Sequence, residues 1–332
     1  MLAGFTTIIA VLILFAWVHD TRVRARLFAD LPPEGRYIET DGARLHYISR
    51  QETPREGPSF VLIHGSSANA YDMMLALGDV LAPHGNVLSF DRPGIGRSTL
   101  KVDDKTMSDP RRQADEIHQA VKALGYDNII VIGQSLGGSV ALGYAYEHGP
   151  EIDATVMLAP PLIPWYGPAF WANRLVTLPL IGRVFAHVVL AKYGEPQLYA
   201  GAAGAAYPEI SPDNYARDAA LALILQPRAF ITNAVYAIEL KHHLADMQKS
   251  HTDMPGTQDK MMIIHGDKDR TVSLEYNAVS FALVRPDVEL IELKGAGHLL
   301  HHTWKEEIAA AVLRLVKDGK VTSGRHVLEK AH

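Results

Sequence analysis

Short apolar runs separated by longer amphipathic stretches recur along most of this chain. The runs that predict buried or half-buried strands lie near residues 60–64, 87–91, 128–132, 154–159, 260–265 and 288–293. The stretches that predict helices lie near residues 69–82, 108–124, 137–148 and 303–317. Before them, Tyr37 to Ser49 has the pattern of a hairpin with Asp41-Gly42 at its turn. This alternation predicts an α/β protein with a doubly wound, mostly parallel sheet and an antiparallel start.

One interval between predicted strands is too long for a single crossover helix. About a hundred residues separate the strand at 154–159 from the strand at 260–265. We therefore expect a core in two parts, 36–160 and 256–317, with a helical cap inserted at 161–255.

The first part of the predicted cap is nearly free of charge. From Leu158 to Ala191 the only formal charges belong to two arginines, and the stretch is rich in aromatic residues. This pattern fits ordinary packing of a helical lid on the core. It also fits an apolar pocket or a face that meets a bilayer, with Trp165, Phe170 and Trp171 as the candidate pocket residues.

The N-terminus has a different character. Leu2 to Val18 is seventeen residues without a charge, with Trp17 close to its end. Arg22, Arg24 and Arg26 follow it. A spanning helix needs about 20 apolar residues, with ~17 as the lower limit. We expect an uncleaved single-pass membrane anchor at 1–20, a linker at 21–35, and the rest of the chain on the cytoplasmic side.

Two other interpretations of this segment remain open, a cleaved signal peptide and a helix packed on the domain. A signal peptide would need a basic start and an A-x-A-like site, and neither is present. If the segment is only an anchor, deleting residues 1–26 should leave the domain intact. At the other end, residues 318–332 are polar and predict a frayed tail.

Composition narrows the possible functions. The 332 residues are 48% hydrophobic, which suits one large core with an inserted subdomain. A net charge of −5 gives no sign of a nucleic-acid partner. The absence of cysteine excludes disulfides and thiol chemistry.

A pentapeptide, Gly133-Gln134-Ser135-Leu136-Gly137, stands between a predicted strand and a predicted helix. A sharp strand-to-helix turn needs small flanking residues, and it leaves the serine hydroxyl free at the end of the sheet. The Leu136 amide at the helix N-terminus can then stabilise negative charge. This pattern predicts a nucleophile at Ser135, although a purely structural turn would have the same small residues.

A serine nucleophile needs a base and an acid, and both types follow predicted strands downstream. The strand at 260–265 opens into a loop that holds Asp267 and Asp269, and the strand at 288–293 opens into Gly295-Ala296-Gly297-His298. The order is therefore serine, aspartate, histidine, which differs from the order in the two serine protease families. His298 would take the serine proton and the aspartate would orient the imidazole.

Four motifs in this order resemble the α/β-hydrolase superfamily over residues 36–317. They are His64-Gly65-Ser66-Ser67, the segment from Asp91 to Ser98, the Ser135 pentapeptide, and the later Asp/His pair. The resemblance implies that Asp269 is the acid, that Asp267 shapes the turn, and that the Ser66 amide is the second oxyanion donor beside Leu136. Epoxide hydrolases and haloalkane dehalogenases of this superfamily carry aspartate at the pentapeptide, so Ser135 argues against both.

Other histidines could suggest a metal site. His301 and His302 follow His298, and His242-His243 form another pair, but no H-E-x-x-H spacing is present. We predict neither a metal nor a cofactor, with His301 and His302 on the loop that enters the last helix.

These observations favour a membrane-anchored serine hydrolase that cleaves an apolar carboxylic ester or lipid through an acyl-enzyme on Ser135. Other acyl chemistry on the same residues is the alternative: a carbon–carbon bond hydrolase, an acyltransferase or a cofactor-free perhydrolase. A catalytically silent binding module is a third possibility, and the complete set of serine, aspartate and histidine argues against it.

Overall fold

The computed structural model describes residues 2–33, 35–165, 167, 171–188 and 190–330, without the side chains of residues 2–10, 171 and 172. Among these residues, ten strands form one sheet. They are β1 (Arg36–Glu39), β2 (Ala43–Ser49), β3 (Ser59–Ile63), β4 (Asn86–Phe90), β5 (Thr99–Leu100), β6 (Ile129–Gln134), β7 (Ala154–Leu158), β8 (Met261–Gly266), β9 (Glu289–Leu293) and β10 (Gly324–Leu328).

The sheet follows the order β1-β2-β4-β3-β6-β7-β8-β9-β10, with β5 paired to β2. The pairs β1–β2, β2–β4 and β2–β5 are antiparallel, and every pair from β4 to β10 is parallel. This arrangement confirms the predicted hairpin and the doubly wound sheet. Since β6, β8 and β9 are parallel, their carboxyl ends meet at one edge, where open α/β sheets bind ligands.

Helices cover both faces of the sheet and fill the predicted cap. They are α1 (Leu2–Ala29), α2 (Ala70–Met73), α3 (Asp79–Leu81), α4 (Pro110–Ala123), α5 (Leu136–His148), α6 (Trp171–Thr177), α7 (Ile181–Val188), α8 (Leu190–Ala206), α9 (Tyr215–Asp218), α10 (Pro227–Met247), α11 (Ser280–Val284), α12 (Leu300–Thr303) and α13 (Lys305–Asp318). A π-helical turn, Met74–Gly78, joins α2 to α3. Apolar residues of α4, α5 and α11 cover one face of the sheet, and those of α2, α3, α12 and α13 cover the other. Helices α6 to α10 form the cap between β7 and β8.

The second half of α1 packs on the cap, where the sequence predicted an independent linker from residue 21. Asp20 is fully buried, pairs with Arg24, and accepts a hydrogen bond from the backbone amide of Lys192 at 3.1 Å. The Arg24 guanidinium also donates to the carbonyls of Leu225 and Ala186, each at 3.2 Å. These contacts hold the second half of α1, which continues to Ala29, against the cap.

The predicted transmembrane anchor is not confirmed. Across the residues that the structure describes, no helix combines the length and apolar character needed to cross a membrane.

The predicted frayed tail is also wrong in part, because residues 324–328 form β10 beside β9. The Arg325 guanidinium donates to Glu292 of the neighbouring strand at 2.7 Å. Most side chains of β10 are exposed, so no apolar pattern in the sequence marks this edge strand.

Replacing Asp20 should destabilise the protein even though it is remote from the sheet edge. Asp20→Ala leaves the partly buried Arg24 charge without its carboxylate, so the free energy of unfolding should fall by about 2 kcal/mol. Urea denaturation of the full chain measures this. Arg22→Ala, an exposed change on the same helix, should stay within about 0.5 kcal/mol of wild type. Unchanged stability of Asp20→Ala, or of a chain lacking residues 1–26, would show that α1 does not support the cap.

Candidate active site

The turn between β6 and α5 places Ser135 at the end of the sheet. Ser135 has φ of 51° and ψ of −122°, a backbone conformation that is strained for a residue with a side chain. A Cβ on Gly133 would lie 2.1 Å from the Gly137 carbonyl oxygen, and one on Gly137 would lie 2.3 Å from the Ile63 carbonyl oxygen. Only glycine fits at either position, which explains the spacing of the pentapeptide in physical terms.

The structure brings the three predicted residues of the triad together. The His298 Nε2 atom lies 3.0 Å from the Ser135 Oγ atom, and the His298 Nδ1 atom lies 2.6 Å from the Asp269 Oδ2 atom. The three residues follow β6, β8 and β9, so they converge because those strands are parallel. In this arrangement His298 can accept the serine proton through Nε2, while Asp269 fixes the proton on Nδ1.

The environment of Asp269 keeps its carboxylate ionised. Burial alone would raise its pKa, but hydrogen bonds from His265 and His298 outweigh this effect and hold the pKa well below its usual range. The Asp269 Oδ1 atom also accepts from the amides of Thr271 at 2.7 Å and Val272 at 2.9 Å. The ionised carboxylate can therefore stabilise an imidazolium.

The competing carboxylate, Asp267, does not face His298. It accepts from the Gly295 amide at 2.6 Å and lies within ion-pair distance of Lys268 and Lys294. These contacts make Asp267 a loop-shaping residue, as the sequence analysis expected.

Buried polar residues stabilise the loop that follows β3. His64 is fully buried and accepts from the Arg92 amide through Nε2 at 2.9 Å, while its Nδ1 atom donates to the Gly65 carbonyl at 2.8 Å. Burial and the Arg92 charge lower the pKa of His64 to about 3. His64 is thus a neutral residue that stabilises the turn after β3.

Arg92 orients the peptide that contributes the second oxyanion donor. Its guanidinium donates to the carbonyl oxygens of His64 and Gly65, each at 3.1 Å. The N–H of a trans peptide points opposite to its carbonyl, so the Ser66 amide is directed away from Arg92. Ser66 and Leu136 line the same cavity as Ser135, as two oxyanion donors must.

Asn233, on the cap helix α10, also holds this loop, and no motif in the sequence indicated it. Its Oδ1 atom accepts from the Ser66 hydroxyl at 3.0 Å and from the Ser67 amide at 3.1 Å, and its Nδ2 atom donates to the Ser67 hydroxyl at 3.2 Å. Ser67 has φ of 59°, in the left-handed region. We infer that Asn233 compensates this strained turn and so positions the Ser66 amide.

A cavity of about 480 Å³ opens onto Ser135. Its apolar lining comes from both the core and the cap: Pro161, Ile163, Trp165, Ala237, Leu240 and Val272. Of the predicted pocket residues, Trp165 lines this cavity, Phe170 lies outside the described residues, and Trp171 begins α6 with its side chain among those not described. The arrangement can bind an apolar group beside an activated serine.

Comparison with known proteins agrees with this fold. A family model described as alpha/beta hydrolase family matches residues 60–311. A soluble epoxide hydrolase from Corynebacterium sp. (strain C12) is 32% identical over 118 residues, which is 36% of this chain and 38% of that protein. A monoacylglycerol lipase from Xenopus laevis is 31% identical over 117 residues, which is 34% of this chain and 33% of that protein. The chain therefore matches less than two fifths of the length of either relative.

Among solved structures, a membrane phospholipase A described as a bacterial virulence factor has the same fold. Its TM-score is 0.60 at 20% identity, over 96% of this chain and 97% of that chain. Together with the matched family and the sheet order, this likeness leads to one conclusion: the chain belongs to the alpha/beta hydrolase family.

Proposed function

We propose that this protein is a serine hydrolase that cleaves an apolar carboxylic ester through an acyl-enzyme on Ser135. One observation carries the proposal: the hydrogen-bonded chain from Ser135 through His298 to Asp269 opens onto the cavity lined by Trp165 and Leu240. The chain of hydrogen bonds activates the serine, and the apolar lining favours an uncharged acyl group.

The reaction follows from the positions of these groups. Ser135 Oγ attacks the ester carbonyl carbon while His298 Nε2 takes the hydroxyl proton, and the amides of Ser66 and Leu136 stabilise the oxyanion. The intermediate collapses, and the alcohol leaves with the proton held by His298. A water molecule then attacks the acyl-enzyme with His298 as base, which releases the carboxylic acid and restores the Ser135 hydroxyl.

The sequence similarities are compatible with this choice. The relatives include a monoacylglycerol lipase, whose name denotes ester hydrolysis, and a soluble epoxide hydrolase. Serine at position 135, in place of the aspartate of epoxide hydrolases, supports acyl transfer. The same triad would serve three alternative reactions: carbon–carbon bond hydrolysis, acyl transfer to another acceptor, and perhydrolysis. Product analysis on matched esters and diketones separates these reactions from ester hydrolysis.

We also propose that the protein acts at a membrane surface, with α1 as the contact. The proposal is supported by large apolar side chains of α1 that are exposed between residues 11 and 17. Such side chains favour transfer from water into lipid. They are Val11, Leu12, Ile13, Leu14, Phe15 and Trp17, with exposed fractions between 44% and 73%.

Exchange of triad residues should abolish turnover. Ser135→Ala and His298→Ala should each lower kcat by about 10⁵-fold or more, and Asp269→Asn by about 10³- to 10⁴-fold, because the three groups act as a unit. Hydrolysis of p-nitrophenyl butyrate measures this, and fluorophosphonate labelling should disappear in Ser135→Ala. The matched control, Asp267→Asn, should lose less than about tenfold. The reverse result for the two aspartates would refute the assignment of the acid.

Removing the Trp165 side chain from the cavity wall should change which acyl chains the protein prefers. Each buried methylene contributes about 0.8 kcal/mol, so kcat/KM should rise severalfold per methylene from acetate until the cavity is full. Trp165→Ala should lower kcat/KM for the octanoyl ester by about tenfold and change the acetyl ester much less. Tyr193→Ala, an exposed aromatic change elsewhere on the cap, is the control. Equal losses on all esters would mean that Trp165 only holds the cap in place.

Polar substitution on α1 should weaken membrane binding without affecting the triad. Phe15→Asp should reduce partition into phosphatidylcholine vesicles about tenfold or more, since it removes a large exposed apolar side chain. Co-sedimentation with uncharged vesicles measures this, and Arg22→Ala serves as the control on the same helix. Equal partition of Phe15→Asp and wild type would contradict the membrane proposal while leaving the hydrolase proposal intact.

A further inference from the structure

A second cluster of polar side chains lies apart from the triad, where three segments of the chain meet. Asp72 comes from α2, Tyr215 from the cap helix α9, and His301 and His302 from α12. The Nε2 atoms of His301 and His302 lie 3.1 Å and 2.8 Å from the Asp72 carboxylate, and the Tyr215 hydroxyl lies 2.8 Å from it. None of these residues belongs to the triad or to the oxyanion loop.

The cluster is shielded from water and lacks a permanent positive charge. Asp72 and His301 are each 1% exposed, and Tyr215 is 6% exposed. Among the described residues, the ion pairs of Asp72 are with His301 and His302, and no lysine or arginine is within ion-pair distance of it. The buried Asp72 carboxylate lies within hydrogen-bond distance of both imidazoles and of the Tyr215 hydroxyl, and a cation bound among these groups would compensate its negative charge.

The positions of the ligand atoms suit a small divalent ion. The carboxylate oxygen and the two imidazole nitrogens lie within 4.8 Å of one another. Bonds of about 2.0–2.1 Å in a tetrahedral site place neighbouring ligand atoms about 3.3 Å apart, and the Asp72 oxygens lie 3.1 Å and 2.8 Å from the Nε2 atoms of His301 and His302. Two imidazoles and a carboxylate are ligand types that Zn²⁺ accepts.

We propose that Asp72, His301 and His302 bind one divalent transition-metal ion, with Zn²⁺ as the best fit, and that the Tyr215 hydroxyl orients the Asp72 carboxylate by donating a hydrogen bond to it. Binding uses the Nε2 lone pairs, so each imidazole carries its proton on Nδ1 in the metal-bound state. The ion is structural: it joins the helix after the oxyanion loop, the cap and the segment after His298.

Sequence spacing alone could not reveal this site. His301 and His302 are adjacent, and Asp72 lies 229 residues before His301 in the chain. The structure places the two histidines in α12, directly before the last helix α13, as expected, and there they contact Asp72.

Metal stoichiometry and thermal stability of the full chain test the proposal. After stripping with chelator, addition of ZnCl₂ and exhaustive dialysis, wild type should retain about one zinc per chain by elemental analysis and gain about 5 °C or more in Tm. Co²⁺ in place of Zn²⁺ should give the intense visible d–d absorption of a tetrahedral site, a readout that requires no variant. Wild type that retains no metal and shows no shift of Tm with Zn²⁺ would overturn the proposal.

Variants locate the ion. His302→Ala and Asp72→Asn should each lose retention and the Tm shift, and Tyr215→Phe should retain zinc with about 10- to 100-fold weaker affinity. The matched control is His148→Ala in the partly exposed group of His118, His148 and Glu151, which should retain zinc as wild type does. Loss of zinc in His148→Ala with retention in His302→Ala would place the ion on the surface and overturn the proposal. If Asp72→Asn fails to fold, His302→Ala alone decides.

Discussion

The close backbone contact at the turn between β6 and α5 is the constraint on which the candidate site depends. A residue in the conformation of Ser135 costs about 1–3 kcal/mol, so surrounding bonds have to hold it. The Ser135 amide donates to the Leu158 carbonyl at 2.8 Å, and its carbonyl accepts from the Gly138 amide at 2.7 Å. The first bond requires β7 beside β6, and the sharp turn requires glycine at 133 and 137. The order of the sheet therefore stabilises the strained serine.

The cap contributes to the geometry of the site as well as to the cavity. Asn233 holds the oxyanion loop, and the amides of His298 and Leu299 donate to the carbonyl of Ala205 in α8 at 2.9 and 3.0 Å. The cap thus contacts both the loop that supplies an oxyanion donor and the loop that supplies the base. A shift of the cap would move both groups together, so substrate binding under the cap and alignment of the triad are physically linked.

The N-terminal helix extends this dependence further from the site. The buried carboxylate of Asp20 and the partly buried guanidinium of Arg24 hold α1 against the cap through hydrogen bonds to its backbone. The parts of the fold are therefore connected. Helix α1 contacts the cap, the cap contacts the loops that carry Ser66 and His298, and the sheet positions the triad. Arg24 and Arg26 contact the cap, a role that the charge pattern alone did not indicate.

The amino-acid sequence was enough to predict β3, β4, β6, β7, β8 and β9, the inserted cap, and a serine, an aspartate and a histidine for the triad. Each of these follows from local patterns: apolar periodicity, glycine spacing, and residue types at strand ends. The sequence could not reveal β10, whose exposed side chains carry no periodicity, or the packing of α1, whose polar partners lie on the cap. The family resemblance named Asp269 in preference to Asp267, and the folded chain shows the contact of Asp269 with His298. The contacts of Asn233 with Ser67 and of Asp72 with His301 and His302 are seen only in the folded chain. These contacts join residues far apart in the chain. These side chains come into contact only when the cap and the other helices pack on the sheet, so no local sequence pattern predicts the contacts.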